Sequence, residues 1–412
     1  MSARTLWLSL PRDEPARWRS SPGTRVTWER VLAFRTQRHH LARRAPARSL
    51  PTVLGEMGGA QAQLLSAAQL SLAGRVRDLT VGELESALWK HRTLAKAWCM
   101  RQTLHLVPAE ALATFVRGTA GRAQKEVRWM RTHGVHESEL SALLEAVLAA
   151  LDEPITRTEL AERVSRSLGL PMKWTNGGGW GSVRRVPSVK VGPVRCPASY
   201  MIQLVGATGV VCSGPNRGAE ATFVRADRWI PRWQDRPREE AEEELLRTYL
   251  RGYGPATVRD FVAWTRMNLR DARVIWNRVA PQLLPMEVEG WHAWVLAEDL
   301  PVVQAAEFDR PAIRFLPYFD SYLLGHLDRG HLMGSAYRSR VYRNAGWIAP
   351  VLLVDGMVQG VWNHHRTKRG LRVDVRPFTK IPEDALPAMR AETRELGRFL
   401  GCDEAVLKVR PA

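Results

Sequence analysis

Residues 241–296 read AEEELLRTYLRGYGPATVRDFVAWTRMNLRDARVIWNRVAPQLLPMEVEGWHAWVL, and their order of signals decides the fold. Ala241 to Leu250 has a helical apolar period, and Pro255 at a first-turn position opens a second helix through Val258, Phe261 and Val262. Asn268 caps a third helix through Val274, Ile275 and Val279. Leu283 to Val288 and Trp291 to Leu296 then form a hairpin across Glu289-Gly290. Helix, helix, helix, hairpin is the order of a winged helix.

The same order precedes it twice. Thr27 caps a helix through Trp28, Val31, Leu32 and Phe34 to Leu41, with Arg35, Arg38, Arg43 and Arg44 on its far face. A Gly-rich loop then meets an amphipathic helix whose Leu65, Ala68, Leu72 and Val76 share one face, and Gln61 and Gln63 flank a single small residue at that junction. Taken alone, such a pair reads as solvated surface or backbone satisfaction. Thr80-x-x-Glu83 is a capping box, and Leu94 to Met100 and Thr103 to Val107 pair across Arg101-Gln102. In the middle unit a helix runs from Glu139, and Thr156-x-x-Glu159 caps another. After a Gly-rich insertion, Pro197 to Val205 is the third helix, with Val210 to Ser213 and Ala221 to Val224 as wing. The three units start roughly 100 to 110 residues apart, a spacing that suits tandem small domains.

From Ala312 the pattern changes to short strands, Ile313 to Leu316, Trp347 to Val354, Met357 to Trp362 and Leu371 to Val375, with Asp355-Gly356 as a two-residue turn and a last helix over 383–400. The expected class is therefore α+β, three tandem winged-helix domains followed by a C-terminal barrel-like β domain. The boundaries are a flexible lead-in over 1–26, winged helices over 27–135, 136–230 and 231–300, and the β-rich part over 301–412.

Sixty Lys and Arg against 42 Asp and Glu give a net charge of +18, with 16 Trp interspersed, a balance that favours a polyanion partner. A GC-rich coding sequence that inflates arginine is the bland account of the same numbers. Cys99, Cys196, Cys212 and Cys402 are isolated, so neither a zinc site nor any cofactor is implied, and unpaired thiols fit a reducing cytoplasm. His39-His40 is not a metal pair, because adjacent helical residues point apart. The N-terminus has no signal-peptide pattern, and no apolar run is long enough to span a membrane.

Five segments, read in order along nearly the whole chain, carry a family resemblance. They are Val31–Leu41, Gly59–Gln63, Trp98–Pro108, Gly254–Phe261 and Leu316–Arg329. Together they resemble the winged-helix DNA glycosylases typified by the azinomycin-resistance enzyme AlkZ and its relative YcaQ. The resemblance implies excision of bulky N7-alkylated purines, unhooking of interstrand crosslinks, and catalysis by a Gln-x-Gln or Gln-x-Asp motif. Here that motif is Gln61-Ala62-Gln63, similar to the AlkZ type tied to self-resistance against a genotoxic natural product. Gly58-Gly59-Ala60 departs from the larger apolar residue expected before the motif, which widens the pocket or loosens the loop. The two amides are expected to position the attacking water and to stabilise charge on the sugar.

His105 and Thr103 are candidate pocket residues, with a backbone-bonded strand histidine as the competing reading for His105. Asp320 and Tyr318 are expected to link the barrel to the third winged helix. The implied partner is double-stranded DNA carrying alkylpurine adducts, with no membrane, no obligate protein partner and a cytoplasmic, nucleoid-associated location. Arg366, Lys368 and Arg369 at the tip of a basic hairpin are expected at phosphates, as are Arg184, Arg185 and Lys190 after the Asn176–Gly179 loop. Arg122, Lys125, Arg128 and Arg131 around Trp129 form a further basic run, of the kind that is usually a solvated face. Two non-enzymatic readings compete: a winged-helix regulator that binds DNA, and a resistance protein that sequesters the drug itself. Release of free modified base separates them from an enzyme.

Overall fold

The computed structural model describes residues 24–176, 185–207, 210–309, 311–367, 370–381 and 383–411. It is a mixed α+β chain in which helices and small antiparallel hairpins alternate before a larger C-terminal sheet. The expected helix starts recur with their caps. Thr27 accepts from the Arg30 N–H ahead of the Trp28–Arg38 helix, and Thr80–Glu83 and Thr156–Glu159 close reciprocal capping boxes.

The 241–296 stretch folds into helices Arg238–Tyr253, Val258–Thr265 and Leu269–Val279, then a hairpin paired from Leu283↔Leu296 to Val288↔Trp291. Pro255 is not in a first turn. Thr257 caps the second helix through a box with Asp260, and Pro255 precedes it after a cis bond to Gly254. Val274 lies on the solvent side of the third helix, while Ile275 and Val279 are buried.

Each hairpin carries a short extra strand at its edge. Thr24–Val26 runs parallel to Leu283–Val288, Ala60–Gln61 pairs with Leu104–Pro108, and Ile155–Thr156 pairs with Glu220–Arg225. Thr24–Val26 therefore belongs to the fold and not to a lead-in; residues 1–23 lie outside the described part. Within the expected Gly-rich insertion, Met172–Asn176, Arg185–Val191 and Val194–Pro197 form a further three-stranded sheet.

The C-terminal part is not a barrel. Five strands lie in the order Ile313–Leu316, Val351–Val354, Met357–Thr367, Gly370–Pro377 and Ala405–Val409, and the first and last do not pair. Helix Ala385–Phe399 lies over the sheet and buries Ala385, Met389 and Leu396 against Ile313, Phe315, Val373 and Val375. The helix supplies the apolar partner that one sheet face needs, so the open sheet has a core without closing.

One apolar core joins stretches that the sequence divides between units. Ala97, Phe115, Val224, Leu245, Tyr249, Phe261 and Trp294 belong to a single cluster, so the hairpins and helices of different units set one another's positions.

Candidate active site

The site begins at a turn. Gly58 and Gly59 have φ of +69° and +84°, and a Cβ on Gly58 would stand 2.9 Å from the Trp264 ring. Only glycine fits both demands, so the small residues before Gln61 let the loop pack on Trp264, and Ala60 is fully buried. The loop is clamped, not loosened. Ser321 Oγ donates to the Gly59 carbonyl at 2.7 Å, and Tyr253 Oη donates to the Met57 carbonyl at 3.0 Å.

Gln61 then enters the edge strand opposite His105, and Gln63 follows at its end. The Gln61 carbonyl oxygen accepts from Arg101 Nη2 at 3.2 Å, and that of Gln63 accepts from the Leu104 backbone N–H at 3.1 Å. Both partners can only donate, which fixes each amide with its oxygen inward and leaves its NH2 for other contacts.

Arg101 is the residue that sequence reading missed. It was legible only as half of the Arg101-Gln102 turn, where both residues have positive φ, +54° and +57°. Two non-glycine residues held in this region mark a constrained turn, and such constraint concentrates at functional sites. The guanidinium reaches the Trp264 carbonyl at 2.8 Å, in the last turn of the Val258–Thr265 helix where the dipole favours a cation. Burial lowers its pKa to about 10, so it stays charged at neutral pH.

His105 lies fully buried behind Arg101 and does not line the cleft. Its Nδ1 donates to the Thr103 carbonyl at 2.9 Å, and its Nε2, 3.1 Å from Arg101 Nη2, accepts. Burial, with Arg101 beside it, pushes its pKa down to about 3, so the ring is neutral. Burial likewise drives His39, His326 and His331 well below the usual range. Each of these side chains has a lower pKa folded than unfolded. Stability is therefore complete above about pH 6.5 and falls as pH drops toward 3, because the unfolded chain binds the protons. The melting temperature is expected to be lower at pH 5 than at pH 7, with a shallower fall in His105→Gln; an unchanged melting temperature across that range would contradict the buried neutral histidines.

Gln61, Gln63, Arg101 and Thr103 line a cleft of about 960 Å³. Its other walls come from the Val258–Thr265 helix and from residues 319–348, which add Arg259, Arg266, Arg329, Arg338 and Arg343. No carboxylate lines it among the described residues. Arg329 stacks on the Tyr342 ring at 4.2 Å, while Arg259, Arg266, Arg338 and Arg343 are exposed. These cationic residues were not singled out from sequence, since nothing local marks them. Of the basic residues that were, Arg185, Lys190 and Arg366 are exposed but line no part of the cleft, and Arg366 donates to the Leu400 carbonyl. Arg184, Lys368 and Arg369 lie outside the described residues.

Asp320 holds the site from beneath. Its carboxylate takes both Arg75 terminal nitrogens, at 2.7 and 2.9 Å, and Ser71 Oγ at 2.8 Å, all fully buried. It therefore ties the C-terminal region to the helix that follows Gln63, and not to the third helical unit. No described group of His, Cys, Asp or Glu has the arrangement of a metal site, and no described helix is long and apolar enough to cross a membrane.

An interstrand DNA cross-link repair glycosylase of Streptomyces sahachiroi is 33% identical over 398 residues, covering 93% of this chain and all of that one. The solved structure of the Streptomyces sahachiroi DNA glycosylase AlkZ superposes with a TM-score of 0.76 at 28% identity, over 94% of this chain and all of that one. Residues 54–399 match the family model described as DNA glycosylase AlkZ-like, and the chain belongs to that family of DNA glycosylases.

Proposed function

We propose that this glycosylase hydrolyses the N-glycosidic bond of bulky N7-alkylated purines in duplex DNA, interstrand crosslinks included, and serves resistance to a genotoxic natural product. The observation that carries the reading is the placement of Gln61 and Gln63 in a cleft with several arginines and, among the described residues, no carboxylate. Such a cleft attracts the DNA backbone and offers no strong acid or base. A substrate that needs little acid catalysis suits it. Alkylation at N7 makes the purine cationic, so the base leaves neutral with the bonding electrons while water adds to the sugar carbon and its proton passes to solvent.

The two amides differ in what they can do. Gln63 has a carbonyl bonded to a neutral N–H, and its second lone pair can accept from the attacking water. Gln61 has a carbonyl compensated by the Arg101 charge, which makes it the weaker stabiliser of a cationic sugar; its NH2 orients the water or the leaving base. Folding into three winged-helix units with a β-rich end, as the element order suggests, would lay the duplex across the arginine-lined opening.

Neutralising Arg259, Arg266, Arg338 and Arg343 to glutamine is expected to weaken duplex binding and to flatten its dependence on salt. The slope of log affinity against log salt should fall by about 0.9 for each phosphate that is no longer neutralised. Neutralising Arg366, Lys368 and Arg369 tests the hairpin tip in the same assay. Base release from an N7-alkylguanine duplex, followed as free base, tests the activity; binding without release would return the chain to the regulator reading.

A further inference from the structure

The arginine-lined cleft carries an apolar side chain that the chemistry at the glutamines does not use. Leu327 is 56% exposed, and of the large apolar residues that face solvent among the described residues it alone lines the cleft. Its companions there are cationic: Arg329 two residues on, with Arg259 and Arg266 from the Val258–Thr265 helix and its C-cap. Asp328, its acidic neighbour in the chain, lines a different cavity and accepts from the Gly330 N–H at 2.9 Å. An exposed leucine is ordinary on a protein surface. Among groups that attract a DNA backbone, however, an apolar side chain finds no partner at a phosphate and is buried only against base faces or a thymine methyl group.

The backbone that presents Leu327 is held rigidly. The Leu327 N–H donates to Asp260 Oδ1 at 2.9 Å, and Asp260 is itself buried in the first turn of the Val258–Thr265 helix, where its other oxygen takes the Thr257 N–H and hydroxyl. On one flank His326 is buried, its ring donating from Nε2 to the Tyr253 carbonyl at 2.9 Å. On the other, Arg329 Nε donates to the His326 carbonyl at 3.2 Å while its guanidinium lies 4.2 Å from the centre of the Tyr342 ring. The loop is pinned on both sides of an exposed apolar side chain, so little ordering is left to be done when DNA arrives.

We propose that Leu327 is a wedge that enters the base stack beside the lesion and parts it, giving Gln61 and Gln63 in the same cleft access to the adducted nucleotide. The proposal rests on the reading of this cleft as the place where the lesion-bearing duplex is held. The bond to be broken is screened while its base stays stacked, and an inserted apolar side chain offsets part of the cost of parting a base step. The full chain would be mixed with a duplex in which 2-aminopurine, a base that fluoresces when unstacked, lies next to an N7-alkylguanine whose 2′-fluoro sugar resists hydrolysis. Binding of the unaltered chain is expected to raise the fluorescence, and Leu327→Ala to bind through the same arginines without the rise. Leu327→Ala should also lower single-turnover base release from a hydrolysable duplex by about tenfold, Leu327→Met should restore it, and placing the lesion in an internal loop, where the stack is already open, should close most of the gap. Leu327 is exposed, so its replacement spares the core. The fluorescence arm needs binding but no chemistry, so it decides on the wedge even if the unaltered chain releases no N7-alkyl base. Binding without a rise in the unaltered chain, a full rise in Leu327→Ala, a rise that requires thymine beside the lesion, or an equal loss of release from duplex and internal loop would overturn the proposal.

Discussion

Replacing Gln61 and Gln63 together by alanine is expected to lower single-turnover base release from an N7-alkylguanine duplex by about 10²–10⁴-fold, the range for positioned polar groups acting in a transition state. Duplex affinity should stay unchanged, because phosphate contact is assigned to the arginines of the opening. Of the single variants, Gln63→Ala should lose more than Gln61→Ala, since the Gln61 carbonyl is already engaged by a cation. The rate should also be flat from pH 6 to 8. Amides do not titrate there, and His105, with a pKa near 3, contributes no inflection. A double variant that releases base at the unaltered rate would remove the glutamines from the mechanism.

The largest stability effect is expected at Asp320. Its carboxylate and Arg75 are both fully buried and share two hydrogen bonds, so Asp320→Ala leaves a guanidinium uncompensated in the interior. Loss of one partner of such a pair costs about 3–5 kcal/mol. Ser71 and the Tyr322 N–H lose their acceptor in the same step. The pairing of Arg75→Met with Asp320→Leu should recover much of the loss, because an apolar pair of similar volume carries no desolvation penalty. Denaturant titration measures both, and a loss of under about 1 kcal/mol in Asp320→Ala would show that water reaches Arg75.

What was legible in the sequence is what local chemistry dictates. Thr80 with Glu83, Thr156 with Glu159 and Asn268 each announce a helix start, and Glu289-Gly290 and Asp355-Gly356 each announce a tight turn. The edge strands were not legible, because two residues such as Ala60-Gln61 have no period and exist only where a hairpin offers an edge. Ala405–Val409 pairs in parallel with a strand some 30 residues earlier, across the last helix, and the expectation of a barrel came from missing that strand; the helix was legible, but not that it covers a sheet face. At the site, the family motif placed the glutamines, but Arg101 looked like an ordinary turn residue. Its role follows from the Trp264 carbonyl and Gln61, 163 and 40 residues away in the chain.

The Arg75–Asp320 pair and the Ser321 clamp on Gly59 also bear on modularity. The loop proposed to be catalytic lies in the first quarter of the chain, yet its anchor and one wall of its cleft come from residues 319–348. Transplanting the Gln-x-Gln unit into another scaffold would carry the motif without its foundation. Substrate range can diversify along the 319–348 wall while the loop stays fixed, so new lesions are more readily reached by changing the wall than by changing the glutamines.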